Sequence, residues 1–317
     1  MTGSFGVPLA AGLVSSLLFL SLAKGFAAGM LLSYLAPLPL MMVGLYRGNG
    51  AAVAAGLAAM VAVALAAGGF ASLPFAVVVM LPSLVVVRQA LLWRSNADGS
   101  VEWYPPGLVL GWLTGAGLAL IVIGALLIPD RPDGVESGGL QAWVADTIGN
   151  TLDMVAPNLT SEQRKAAADW WVPFFPAMVA SSWLAMAVVN AVTAQGFLVR
   201  LGRNRRPTPS YRELELPLWL GVVLAAVAIT GGVAEGDLGY LARSAVVVTL
   251  IPFALLGLAT VHGWAAGRPN ARVFLAAMYG GLFLASAWAL IPVAGLGLVR
   301  FMTRFRRAES SGGGKEE

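Results

Sequence analysis

Apolar stretches of about 17 or more residues recur along the whole of this 317-residue chain, and none of its 16 carboxylates falls inside one. A helix rises 1.5 Å per residue, so each stretch is long enough to cross a hydrocarbon core of roughly 30 Å. Lipid offers no partners to backbone N–H and C=O groups, which leaves helices and closed barrels as the only spanning structures. Unbroken apolar runs specify helices. The charged fraction of 11%, against about a quarter in soluble domains, points the same way. The expected fold is all-α: a polytopic transmembrane bundle of about nine spans, eight to ten, with kinked or broken helices. The spans fall near 5–23, 26–46, 51–70, 72–93, 106–128, 172–199, 216–233, 244–262 and 273–299, in one helical domain over 1–307, with a disordered tail over 308–317. Only Gly68, Gly69 and Ser72 separate the third run from the fourth.

Arg and Lys in short loops are retained on the cytoplasmic side. Arg47 follows the second run, Arg88 and Arg94 close the fourth, and Arg200, Arg203, Arg205, Arg206 and Arg212 fill the loop 200–212 after the sixth. These agree if the N-terminus is cytoplasmic. The acids Asp130, Asp133, Glu136, Glu235 and Asp237 then face outward. Nine spans put Arg300, Arg304, Arg306 and Arg307 on the wrong side, a conflict that a re-entrant final segment near Pro292 or a different span count resolves. Residues 1–23 hold no Lys or Arg, so the first run is read as a span and not as a cleaved signal. The pI near 9.7 follows from loop arginines that suit anionic lipid headgroups. No nucleic-acid partner is expected.

The longest interruption, 129–171, is expected to be extracytoplasmic. Leu140, Trp143, Val144, Ile148, Leu152 and Val155 recur at helical spacing with Gln141, Asp146, Asn150 and Asp153 around them, which makes an amphipathic helix. Thr160 and Gln163 match a capping box before 161–170, and Trp170 and Trp171 suit an aromatic belt. The helix pair either caps the bundle at the bilayer surface or forms a lid over an outward-opening cavity.

Pro37, Pro39, Pro74, Pro82, Pro176, Pro252 and Pro292 lie in or at the ends of runs, where each removes a helical donor that something else must replace. Gly25 and Gly29, Gly44 and Gly48, and Gly111 and Gly115 are spaced for close helix contact. Polar groups within the spans are few: Thr114, Asn190, Thr193, Gln195, Thr249 and His262. Their plain role is hydrogen bonding between helices; the sharper one is contact with a ligand. With no acid at depth, proton-driven and most cation-coupled mechanisms lack their titrating groups. There is no Walker A sequence, no Cys, and one His. No catalytic motif, metal cluster or cofactor site is expected, and the chain is not read as an enzyme.

The segment from Pro176 through Trp183, Asn190 and Gln195 to Arg200, then Arg206-Pro207-Thr208-Pro209 and Glu213-Leu214-Glu215-Leu216-Pro217-Leu218-Trp219, resembles the YybS-like family of predicted bacterial membrane proteins of unknown function. Tyr34-Leu35-Ala36-Pro37-Leu38-Pro39-Leu40 to Gly44, and Ile251-Pro252-Phe253 to Gly257, Val261 and His262, are similar to its other blocks. The resemblance covers nearly the whole chain. One departure is Gly297-Leu298-Val299-Arg300-Phe301-Met302, which lacks the acid and Trp expected before the final basic cluster. The family implies a bacterial inner-membrane location and no established activity. Its distant likeness to the substrate-binding membrane components of energy-coupling-factor importers is one of fold alone.

Two functional expectations follow. In one, the chain is a small-molecule-binding or permease component in the bilayer, energised by a partner membrane protein or ATPase. In the other it is a scaffold that organises partners through the loop 200–212 and its outer helices.

Overall fold

A computed structural model describes residues 5–24, 27–128, 139–285, 288 and 290–312. Residues 129–138, with Asp130, Asp133 and Glu136, lie outside the described residues, as do Gly25 and 313–317. The first half runs α1 (Gly6–Leu20), α2 (Ala27–Ser33), α3 (Pro37–Arg47), α4 (Asn49–Ala67), α5 (Ser72–Phe75), α6 (Leu81–Ala90), β1 (Trp93–Ser95), β2 (Val101–Trp103) and α7 (Pro106–Leu126). Then follow α8 (Gly139–Val155), α9 (Ser161–Trp171), α10 (Phe175–Arg200), α11 (Leu218–Val233), α12 (Gly236–Ala265), α13 (Ala271–Ala285) and α14 (Leu290–Gly312). Seven stretches among the described residues are long and apolar enough to cross a membrane, and α11 and α13 are shorter apolar helices. The fold is all-α in class, a polytopic bundle of long apolar helices with one short hairpin.

Helix boundaries follow backbone chemistry. Gly68 ends α4 at φ +90°, a conformation that costs a side-chain-bearing residue and not glycine, which fixes the boundary between the third and fourth runs. The fourth run is not uniform: α5 passes through a π-helical turn, Ala76–Met80, into α6, with Pro82 at the start of α6. It also stops earlier than hydropathy indicates. Trp93 begins a two-stranded antiparallel hairpin in which Arg94 faces Glu102 and pairs with it at 2.7 Å.

Three other runs differ from the sequence expectation: the eighth begins at Gly236, eight residues before 244, and takes Asp237 and Arg243 into α12. The seventh starts at Leu218, because Pro217 is extended and caps the helix from outside. The last run, 273–299, is two helices and not one span; Pro292 lies in the first turn of α14, where its missing N–H costs no ladder bond.

The chain divides into two compact units. The first comprises 1–113 and 183–215, the second 114–182 and 216–317. In the first, α1, α3, α4, α5 and the π-helical turn 76–80 pack around Leu40, Val43, Ala55, Ala59, Val63, Phe75 and Val79, and Phe19 meets Phe75 edge to face at 5.3 Å. A Cβ on Gly12 would overlap the Ala55 carbonyl, and one on Gly44 would lie 2.6 Å from Val87. These close approaches are the use of small residues in bundles. In the second unit α12 pairs with α11 and α14. Gly257 lies against the Val293 carbonyl and Gly297 against the Phe253 carbonyl, where a side chain on either glycine would overlap backbone. Phe301 completes this contact, edge to face with Phe253 at 5.2 Å.

The insertion folds as its pattern indicates. Val144 and Ile148 of α8 join Ala168 of α9, Val172 and Tyr240 in one buried cluster. Thr160 caps α9 with both halves of the capping box present. Arg164 pairs with Asp153. Tyr240, at the start of α12, donates its hydroxyl to the Val172 carbonyl at 2.5 Å, and the Asp237 carboxylate accepts the Leu140 amide at 2.7 Å.

Candidate functional site

The second apolar run, interrupted at residues 34–36 between α2 and α3, is where polar side chains converge in the first unit. Pro37 and Pro39 cannot donate to Ser33 and Leu35. The Ser33 carbonyl takes the Ala36 amide at 3.1 Å and the Leu35 carbonyl takes the Leu38 amide at 3.0 Å. Both bonds run three residues back, and Leu38 has left its usual acceptor, the Tyr34 carbonyl, which instead accepts from Asn190 Nδ2 of α10 at 2.7 Å. Ser15 of α1 donates to the Ala36 carbonyl at 2.6 Å, and Ser83 of α6 donates to Val79 at 2.7 Å with a longer contact of 3.5 Å to Pro37. An interrupted helix is thus held by side chains from three other helices.

Asn190 is 1% exposed, and its nitrogen also donates to the Met186 carbonyl at 2.8 Å. Two carbonyl oxygens facing one atom fix it as nitrogen. Its Oδ1 is buried with no partner. Two turns earlier on α10, Trp183 is buried as well, and its indole N–H has no partner. Positions seven apart share a helix face. One face of α10 therefore carries an unpaired donor and an unpaired acceptor on the order of 10 Å apart.

The remaining candidates fall in different places. Thr193 is half-buried on α10. Gln195, half-buried, donates to the Arg206 carbonyl at 3.0 Å, and Asn204 donates to the same oxygen at 2.9 Å. Arg206 is only 7% exposed. Its guanidinium donates to the Ala90 carbonyl at the end of α6 at 3.0 Å and lies 5.8 Å from the Trp103 ring of β2. Burial lowers its pKa. Arg203 lies over the Tyr46 ring at 5.5 Å, and the Arg205 guanidinium lies beside Gly48. Arg200 and Arg212 are exposed. In the second unit, Thr114 is fully buried on α7, and His262 Nε2 meets the Tyr279 hydroxyl at 2.8 Å.

Asn190 and Gln195 were visible in the sequence as polar residues of a span. Trp183 appeared only within the family resemblance, and Ser15, Ser83 and the Tyr34 carbonyl did not appear at all. The prolines at 37 and 39 were the available signal for the carbonyl. Among the described residues no group of three or more His, Cys, Asp or Glu is placed to hold a metal ion.

Long apolar helices, an interrupted span held by neighbouring side chains and arginines gathered beyond the helix ends define a multi-pass helical membrane protein. The chain belongs to the family described as Predicted membrane protein (DUF2232), whose family model matches residues 13–299. That agrees with the YybS-like resemblance. No curated protein and no solved structure matches the chain.

Proposed function

We propose that the chain is a small-molecule-binding or permease component of the bacterial inner membrane, energised by a partner membrane protein or ATPase and not itself an enzyme. The observation that carries this reading is the pair of unpartnered polar atoms on one face of α10, the Trp183 N–H and Asn190 Oδ1. Buried polar groups are nearly always paired, because an unpaired one costs about 1–3 kcal/mol. A ligand with one acceptor and one donor satisfies both. The interrupted span beside Asn190 belongs to the same picture, since transporters often place broken helices at their binding sites.

In this reading the N-terminus is cytoplasmic, about nine spans cross the bilayer, and α8 and α9 lie on the outer side. The cluster around Tyr240 favours a fixed cap over a lid for that pair.

The test is a thermal-shift screen of the purified protein in nanodiscs against vitamins, other small metabolites and lipids. A ligand at 100 times its Kd stabilises by about 2.7 kcal/mol. The expected hit is lost in Trp183→Phe and Asn190→Ala. A broad screen without a hit, or a hit indifferent to both substitutions, defeats the proposal.

A scaffold role is the second reading, favoured by α13. This apolar helix buries no residue in the bundle, and Phe283 and Leu284 are 86% and 85% exposed. Crosslinking in native membranes should then recover a stoichiometric partner through α13; partner-free material rejects the idea.

A further inference from the structure

The arginine loop is an ordered structure and not a loose string of charge. Arg206 ties it down: its carbonyl takes two side-chain amides, its guanidinium reaches the end of α6, and its flat face covers Trp103. That tether brings the residues before it onto the junction between α3 and α4, more than 150 positions away in the chain. Arg203 and Arg47 both lie against the Tyr46 ring, at 5.5 and 5.8 Å. The Arg205 guanidinium nitrogen lies 3.1 Å from where a Cβ on Gly48 would sit. Gly48 has φ +106°, and a Cβ on nearby Gly50 would meet nothing within 4 Å, so the junction is open beside these cations.

Bringing like charges together is unfavourable unless an anion joins them. No carboxylate among the described residues pairs with Arg203, Arg205 or Arg206, and the Arg206 Nε is buried with no partner. Retention on one side of a membrane needs only positive charge. It does not need guanidiniums from two distant segments at one tyrosine, or a buried arginine holding them there.

We infer that Arg203 and Arg205 of the tethered loop, set against the α3–α4 junction, bind one phosphate group. Guanidinium forks match phosphate oxygens with two parallel hydrogen bonds, and the Tyr46 ring that backs Arg203 fixes its fork at little further entropic cost. The site lies past the ends of the apolar helices α3 and α6, where loop arginines of a membrane protein meet anionic headgroups, which makes an anionic phospholipid the favoured source and free phosphate the other.

The test compares the full-length protein with Arg203→Gln/Arg205→Gln and Arg203→Lys/Arg205→Lys in nanodiscs. Arg206 is left intact so that the tether survives. Native mass spectrometry reads retained lipid from mixed phosphatidylglycerol and phosphatidylcholine, with and without inorganic phosphate at about 20 mM, roughly twentyfold above a millimolar Kd. Wild type should retain phosphatidylglycerol preferentially, on the order of tenfold, which is about 1.4 kcal/mol. The glutamine pair should show no preference, and the lysine pair should fall between. Unfolding temperatures in pure phosphatidylcholine should match across the three proteins, which separates lost binding from lost folding. Preference that resists phosphate assigns the site to lipid; preference abolished by phosphate assigns it to the free anion. Equal retention by wild type and the glutamine pair overturns the site, and a lysine pair equal to wild type overturns the guanidinium geometry.

Discussion

Two apolar runs of this protein carry prolines away from their ends and respond in opposite ways. The α2–α3 run, with Pro37 and Pro39, stops being a regular helix over 34–36 and depends on Asn190 and Ser15 to satisfy its carbonyls. The α12 helix runs unbroken over 30 residues with Pro252 inside it. One proline removes one donor, and the ladder on either side persists. Two prolines two positions apart remove donors from the same turn, so the next amide changes acceptor and a third carbonyl loses its partner. The backing differs too. α12 is supported at this level by close backbone approach of α14 at Gly257 and Gly297, and α2–α3 by hydrogen bonds from other helices. Spacing of the prolines, more than their number, decides whether a helix needs outside help.

The largest effect should come from the α12 support. Gly297→Leu places a side chain on the Phe253 carbonyl and forces α14 away. A loss of about 3 kcal/mol is expected in reversible unfolding in detergent, at the upper end for overpacking. Next is Asn190→Leu, which takes the donor from the Tyr34 carbonyl and should cost about 1.5 kcal/mol, near the top of the range for membrane hydrogen bonds. A cost equal to that of Gly297→Leu would erase the contrast in backing. Pro39→Ala returns a donor to Leu35 and lets the Leu38 amide go back to Tyr34. In the Asn190→Leu background it should recover about 1 kcal/mol, and the double-mutant cycle reads this directly; strict additivity refutes the mechanism. Smallest is Pro252→Ala, at about 0.5 kcal/mol or less. A larger change means that α12 has not absorbed its proline.

The sequence made the helical body legible because lipid reduces the choices to one. It also disclosed α8 and the Thr160–Gln163 cap, whose signals are local. The hairpin over 93–103 escaped, although Asp98-Gly99 between Arg94 and Glu102 is a turn signal; Trp93 read as the end of a span. The split of the last run was legible only as one alternative, a break near Pro292. It depends on α14 finding Gly257 on α12, and nothing within 273–299 states that. Of the polar site, the prolines announced a broken helix and Asn190 announced a buried amide. Their meeting is a tertiary fact. Arg206 was indistinguishable from its neighbours, because its burial depends on Trp103 and the end of α6, both distant in the chain.

The bond between Asn190 and Tyr34 has a consequence for how the protein is made. Its partners are 156 residues apart, which a ribosome adding about 5–20 residues per second takes on the order of 10–30 s to synthesise. For that interval the nascent second span is in lipid before the amide that completes it has been made. The N-terminal helices therefore cannot finish assembling when they are inserted: the Tyr34 carbonyl waits for the sixth apolar run.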